Sequence, residues 1–146
     1  MYEMSILNQI KSYINQQPKQ KREDLEALHG HILRLMPKCK LWFFNGCDEK
    51  GKVVANPNIG YGQQTLKYAG GKTKAFYQIG ISGNTAGITV YLLGFKDKNH
   101  MPDLYGKEIG KAKVTGYCIK FKSLKDIDIE TLDKAILDAA GQSTER

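Results

Sequence analysis

Residues 74–95 place the strongest constraint on how this chain can fold. Two runs rich in β-branched and aromatic residues flank the turn-forming residues 83–87, a pattern that predicts a β-hairpin. Alternate positions of the first run are apolar, so we expect that strand to bury one face and expose the other. These positions are Ala75, Tyr77, Ile79 and Ile81. The second run is apolar on both faces, which is typical of a strand deep in a sheet.

The rest of the chain predicts a mixture of helices and antiparallel strands. Amphipathic helices are predicted before Pro18 and, after the basic linker 19–22, up to Pro37. Pro102 is expected to open a short helix and Asp128 to cap a closing one. Further strands are predicted at residues 41–44, 52–55, 64–68 and 117–121. We therefore expect an α+β fold, an antiparallel β-sheet with the N- and C-terminal helices packed on one face.

The length of 146 residues fits a single domain. Within it, residues 1–18 are expected to carry the N-terminal helix and residues 141–146 to form a flexible tail. Six side chains from the predicted strands and the closing helix are expected to share one core. They are Tyr77, Ile79, Ile119, Phe121, Leu132 and Ile136.

The charge balance indicates an anionic partner. The chain has 22 basic and 15 acidic residues, a formal net charge of +7, which favours phosphorylated small molecules, other anions or nucleic acid. Nucleic acid is not the favoured partner, because only three basic residues are arginines and base recognition depends strongly on arginine. No apolar run reaches the roughly 20 residues of a membrane-spanning helix. Three cysteines at unrelated spacings and no recognisable signal peptide predict a cytoplasmic protein.

Two groups of residues are candidates for a binding site. The first combines aromatic rings with amide groups and could line a small-molecule pocket, or could simply pack in the core and at the sheet edge. Its members are Trp42, Tyr61, Gln64, Tyr68 and Tyr77, with Tyr91 nearby. The second is a set of lysines in which strand alternation puts two on one face of the last strand and the other two precede them across a short turn, either as an anion site or as a solvated sheet face. Its members are Lys111, Lys113, Lys120 and Lys122.

Motifs for catalysis, cofactors and metals are not apparent in the sequence. Residues 70–73 read Gly-Gly-Lys-Thr, but the earlier glycine of a phosphate-binding loop is replaced by Leu66, and a strand follows instead of a helix. His29 and His31 stand two apart on a predicted helix and point in different directions. We therefore predict no catalytic residues, cofactor or metal site, although an enzyme that uses the aromatic pocket remains an alternative.

The C-terminal segment resembles the YdhG-like family, most of whose members are domains of unknown function. The similar residues are Gly110 to Lys113, Gly116, Cys118 to Lys122 and Leu124 to Asp128. Weaker similarity is found at Tyr13, Ile14 and Pro18 and at the Tyr61-Gly62 pair. The resemblance covers about residues 12–139 and implies a frataxin-like fold, with two terminal helices on an antiparallel sheet.

The leading interpretation is a non-enzymatic binding module for a ligand or anion, of the YdhG-like type. The alternative that the resemblance implies is a frataxin-like iron chaperone for iron–sulfur assembly, which would require a ridge of carboxylates. The nearest acidic residues are Glu23, Asp24 and Glu26, expected in the first turn of the second helix, and Asp48 and Glu49 in a turn.

Overall fold

The computed structural model describes residues 5–142, which form four α-helices and eight β-strands. The helices are α1 (Ile6–Asn15), α2 (Lys19–Leu35), α3 (His100–Tyr105) and α4 (Ile129–Gln142). The strands are β1 (Leu41–Phe44), β2 (Asn58–Tyr61), β3 (Gln64–Lys67), β4 (Thr73–Phe76), β5 (Ile79–Asn84), β6 (Gly87–Leu92), β7 (Ala112–Val114) and β8 (Cys118–Phe121). The part of the predicted tail beyond residue 142 lies outside the described residues, and residues 141–142 belong to α4.

Six strands form one antiparallel sheet in the order β1-β2-β5-β6-β8-β7. The helices pack on one face of this sheet, so the predicted α+β architecture is confirmed. One row across the sheet runs through Ile59, Ile81, Val90 and Ile119, all fully buried against the helices. The helices meet it with apolar stripes that include Leu28, Ile32, Leu132 and Ile136. The remaining two strands, β3 and β4, pair only with each other as a separate hairpin.

The predicted central hairpin exists as β5 and β6, but its first strand is shorter than the alternation indicates. The chain leaves the large sheet at Tyr77 and Gln78, so residues 73–76 form β4 of the separate hairpin. This break also turns the Tyr77 side chain to the opposite face of the sheet. Tyr77 therefore does not join the core formed by the other five predicted residues. The expectation of one wet face is also wrong for β5, because Gly80 and Ser82 are buried.

Tyr77 lies on the face of the sheet opposite the helices and covers two paired glycines. Gly60 and Gly80 are direct partners on β2 and β5. A Cβ atom at Gly60 would approach Tyr77 Cγ to 2.6 Å, and one at Gly80 would approach Tyr77 Cζ to 2.7 Å. The two glycines therefore form a depression that the tyrosine ring fills, an arrangement that compensates for their missing side chains.

Three further predictions about the elements are corrected. The partner of β1 is β2 and not residues 52–55, where Val53 and Val54 are 73% and 64% exposed in a long loop. The basic linker 19–22 is the first turn of α2, because the helix starts directly after Pro18. Tyr117 precedes β8 and is 57% exposed, so it does not belong to that strand's buried side. Strand β7 was not predicted.

Helix α4 is held to its neighbours by two pairs of histidine and aspartate. His31 on α2 contacts Asp133, and His100 Nε2 on α3 lies 2.8 Å from Asp138 Oδ2. The hydroxyl of Tyr105 donates a 2.6 Å hydrogen bond to the same Asp138 oxygen. Burial would raise the pKa of Asp138, but hydrogen bonds from Tyr105, His100 and Gln142 outweigh it and leave the pKa below its usual value. These contacts have a structural role, since they join helices.

Candidate functional site

The face of the sheet away from the helices, here called the outer face, carries the candidate sites. Strand alternation assigns residues to it in two rows. One row contains Trp42, Gly60, Gly80, Tyr91 and Cys118, and the other contains Phe44, Asn58, Ser82, Thr89, Lys120 and Lys113. The β1 side of this face is aromatic and the β7 side is basic. No strand residue in these two rows has a carboxylate.

The basic side forms a groove lined by all four predicted lysines. Lys113 on β7 and Lys120 on β8 are direct antiparallel partners, and Lys111 and Lys122 flank them. Together with Asn84 and Thr89 they line a groove of about 440 Å³, named the basic groove hereafter. The structure therefore brings the four lysines together in one groove, with Lys111 and Lys113 placed there by the segment around β7, a strand that was not predicted.

The charged residues that line the basic groove are all positive. Its lining contains no acidic residue, and among residues 5–142 none of its four lysines forms an ion pair with a carboxylate. All four lysine side chains are exposed. Like charges placed directly opposite each other on neighbouring strands destabilise a sheet. A bound anion would relieve this repulsion between Lys113 and Lys120.

Two polar side chains form the floor of the groove near the β5–β6 turn. Asn84 Nδ2 donates a 3.0 Å hydrogen bond to the hydroxyl of Thr89. The side-chain Oδ1 of Asn84 also accepts a hydrogen bond from the backbone N–H of Ala86. The backbone carbonyl of Asn84 accepts a 2.5 Å hydrogen bond from Lys21 Nζ. The turn is thereby fixed, and Thr89, whose hydroxyl accepts from Asn84, is only 2% exposed.

The aromatic side of the outer face is a cluster of four rings: Trp42, Phe44, Phe76 and Tyr77. Phe76 stacks on Tyr77 with 4.2 Å between ring centroids, and it lies 5.5 Å from Phe44 and 6.2 Å from Trp42. Trp42 Nε1 donates a 2.7 Å hydrogen bond to the carbonyl of Gly62, which fixes the indole. Trp42, Phe44 and Phe76 remain half-buried, so parts of their rings face solvent.

Lysine side chains also border this aromatic cluster. Lys40 Nζ lies 4.4 Å from the centroid of the Trp42 ring, and Lys74 Nζ lies 5.4 Å from that of Phe76. Both are cation–π distances. The outer face thus combines aromatic surface with positive charge at the cluster as well as in the basic groove.

The residues of the predicted aromatic pocket are divided by the fold. Trp42 and Tyr77 belong to the cluster, and buried Gln64 supports it through a 2.9 Å hydrogen bond from its Nε2 to the carbonyl of Tyr77. Tyr91 lies on the same face opposite Gly80. Tyr68 is 52% exposed and follows β3, away from the cluster. Tyr61 belongs to the helical face and is fully buried.

Tyr61 instead forms a buried polar contact under α2. Its hydroxyl lies 2.5 Å from His29 Nδ1, and with a neutral imidazole protonated on Nε2 the hydroxyl is the donor. Burial lowers the pKa of His29, which favours this neutral form. Burial also raises the pKa of Cys39, and burial together with the nearby Cys39 raises that of Tyr61 well above its usual value. These groups therefore stay uncharged at neutral pH, as core residues do.

Two of the five acidic residues named for an iron site have other partners. Asp24 Oδ2 accepts hydrogen bonds from Ser123 Oγ and the backbone N–H of Leu124. Asp48 accepts from the backbone N–H groups of Lys50 and Lys52. Within residues 5–142, no three His, Cys, Asp or Glu side chains are grouped so that they could hold a metal ion. Because α2 starts at Lys19, its acidic residues lie beyond the first turn.

Sequence reasoning missed four residues of the outer face: Phe44, Phe76, Lys40 and Lys74. The alternation of Trp42 and Phe44 in β1 was a usable signal, because both must point to the same face of a strand. Phe76 could not be placed, since its contact depends on the hairpin folding back over the sheet. Lys40 and Lys74 could have been associated with the rings of Trp42 and Phe76, because each lysine stands close to its aromatic partner in the sequence.

Comparisons of the chain with protein-family models, curated proteins and solved structures found no match. In the part of the chain that the structure describes, no helix has both the length and the apolar character needed to cross a membrane. The candidate sites are therefore interpreted from their geometry and chemistry.

Proposed function

We propose that this protein is a non-enzymatic anion-binding module whose site is the basic groove. The observation that carries the proposal is the register of β7 and β8, which places Lys113 directly opposite Lys120. The repulsion within this pair is unfavourable for folding. A bound phosphate or other polyanion offsets it, because one anionic group lies within reach of several ammonium groups at once.

The groove suits an extended anion better than a single buried ion. Its four ammonium groups are flexible point charges on exposed side chains. Screening at physiological salt limits such attraction to roughly 8 Å. Binding therefore depends on several lysines together and weakens as salt increases.

The proposal extends to the family and the compartment. The two terminal helices on one face of an antiparallel sheet support the relationship to the YdhG-like family. The three cysteines, all within the described residues, are free thiols, which supports a cytoplasmic location.

Calorimetric titration with inorganic tripolyphosphate tests the site. The Lys113→Gln/Lys120→Gln variant is expected to bind about tenfold or more weakly, because charged hydrogen bonds contribute about 1.5–3 kcal/mol each. Its melting temperature should be unchanged or higher, since the repulsive pair is gone. Lys11→Gln/Lys134→Gln removes the same charge from exposed positions on α1 and α4 and is the matched control. Equal binding by the parent and both variants would refute the basic groove as the site.

A further inference from the structure

We propose that the outer face binds single-stranded nucleic acid, with bases stacked on the aromatic cluster and phosphates held in the basic groove. The inference rests on the proposed function for its basic half and adds the aromatic half to it. It concerns non-specific binding, in which stacking and phosphate contacts suffice. Such binding does not need arginine side chains that read base edges, so the low arginine count does not oppose it.

The first support is the placement of the two halves on the same face of one sheet. Trp42 and Phe44 stand on β1 at one edge of the sheet, and Lys113 stands on β7 at the other. With strands about 4.8 Å apart, the two edges are separated by about 24 Å. A span of this size accommodates a few nucleotides, comparable to the smaller site sizes of about 4 nucleotides in single-strand binding domains.

The second support is chemical complementarity. Trp42, Phe44 and Phe76 expose parts of their rings, and every base has a π-face that stacks on such surfaces. Lys40 and Lys74 already lie over two of these rings. When a base stacks there, the ammonium groups can move to the adjoining phosphates, so the cation–π contacts are exchanged for ion pairs. The outer-face strand residues contribute no carboxylate that would repel the phosphates.

The third support is the tip of the β3–β4 hairpin, which carries similar groups at the far end of the hairpin that supplies Phe76 to the cluster. Tyr68 is 52% exposed there, between Lys67 and Lys72, both of which are exposed. The turn is glycine-rich and open, since added Cβ atoms at Gly70 and Gly71 would meet nothing within 4 Å. An exposed tyrosine flanked by lysines is a further place for a base and its phosphates.

The experiment uses the single tryptophan of the chain, Trp42, as a reporter. The full chain is titrated with a labelled oligothymidylate of about 12 nucleotides, with duplex DNA of equal length and with inorganic tripolyphosphate. Anisotropy gives the affinity, and quenching of Trp42 fluorescence reports stacking. The variants are Phe76→Leu and Lys74→Gln for the aromatic half, Lys113→Gln/Lys120→Gln for the basic half, and Lys11→Gln/Lys134→Gln as control.

We expect the single strand to bind more tightly than the duplex and to quench Trp42. Each single-strand phosphate contact contributes about 0.7 to the slope of log affinity against log salt, so the Lys113→Gln/Lys120→Gln variant should lower that slope by about 1.4. Phe76→Leu and Lys74→Gln should weaken single-strand binding severalfold and leave tripolyphosphate binding unchanged. Lys74→Gln, at an exposed position, keeps the test valid if Phe76→Leu does not fold.

The contrary outcomes separate the two proposals. If tripolyphosphate binds in the groove but the single strand binds without quenching, or no better than the duplex, the inference is wrong and the proposed function stands. If single-strand binding is insensitive to both aromatic-half variants, the inference is likewise wrong. If neither tripolyphosphate nor the single strand binds, both proposals are wrong.

Discussion

Tyr77 and the glycine pair beneath it allow a quantitative test of how the outer face is built. An alanine at Gly60 would put its Cβ 2.6 Å from Tyr77 Cγ and 2.8 Å from Tyr77 Cβ, so the ring must move. Gly60 is not among the positive-φ glycines, and its backbone therefore accepts alanine. Overpacking of this kind typically costs about 1–3 kcal/mol of the free energy of unfolding.

Gly60→Ala should increase the free energy of unfolding, instead of lowering it, when the Tyr77 ring is absent. In a Tyr77→Ala background the space above Gly60 is open, and alanine is favoured over glycine in a strand by about 0.5–1 kcal/mol. The interaction energy of Gly60 and Tyr77 in a double-mutant cycle is therefore expected to be about 1.5–4 kcal/mol. Tyr77→Ala itself should cost about 3–5 kcal/mol, in the range for large aromatic truncations.

Urea unfolding of the four proteins, followed by circular dichroism, measures the cycle. Gly30→Ala on α2 is the control, because its added Cβ would meet only Arg34 Nη1 at 3.9 Å. It should stabilise the protein by about 0.8–1 kcal/mol in both backgrounds. If Gly60→Ala has the same cost with and without the Tyr77 ring, the ring does not fill the depression above the glycines.

Two further predictions concern the helical face. Ile119→Ala should lower the free energy of unfolding by about 2–5 kcal/mol, since Ile119 is fully buried between Val90 and Val114; a loss below about 1 kcal/mol in urea titrations would contradict the described core. For His29, the folded-state pKa is lower than the usual 6.5, so the unfolded chain binds more protons below that pH. Stability should therefore decrease as pH falls from about 6.5 towards the folded-state pKa, and His29→Gln, which can still accept from Tyr61, should reduce that decrease in melts at stepped pH.

The elements that sequence reasoning identified are those whose side chains are ordered by local periodicity. The β5–β6 hairpin has β-branched strands and a short polar turn, and both signals are local. Lys120 and Lys122 share one face through simple alternation, but Lys113 meets Lys120 only through β7, which was not predicted. In contrast, β2 contains an asparagine and a glycine among its four residues, which disfavour strands. It forms because it lies between β1 and β5 and because Tyr77, distant in sequence from Gly60, covers its glycine.

The wrong assignments have a physical cause of the same kind. Val53 and Val54 have high strand propensity, yet they lie exposed in a loop and form no strand of the sheet. Tyr77 was assigned to the core because alternation was counted through a point where the chain leaves the sheet. A break that shifts the alternation by one residue reverses every side chain before it relative to those after it. The aromatic cluster could not be derived from the sequence, since it depends on that reversal.

The β3–β4 hairpin leaves and re-enters the large sheet between two neighbouring strands. Tyr61 and Ile79 are direct antiparallel partners, so the two ends of this excursion are only about 5 Å apart. Its length is therefore not constrained by the distance that it must bridge, and the cost of closing a longer loop rises slowly with length. Evolution or design can lengthen, shorten or replace residues 62–78 and retain the six-stranded scaffold, provided that a ring at the position of Tyr77 still covers Gly60 and Gly80.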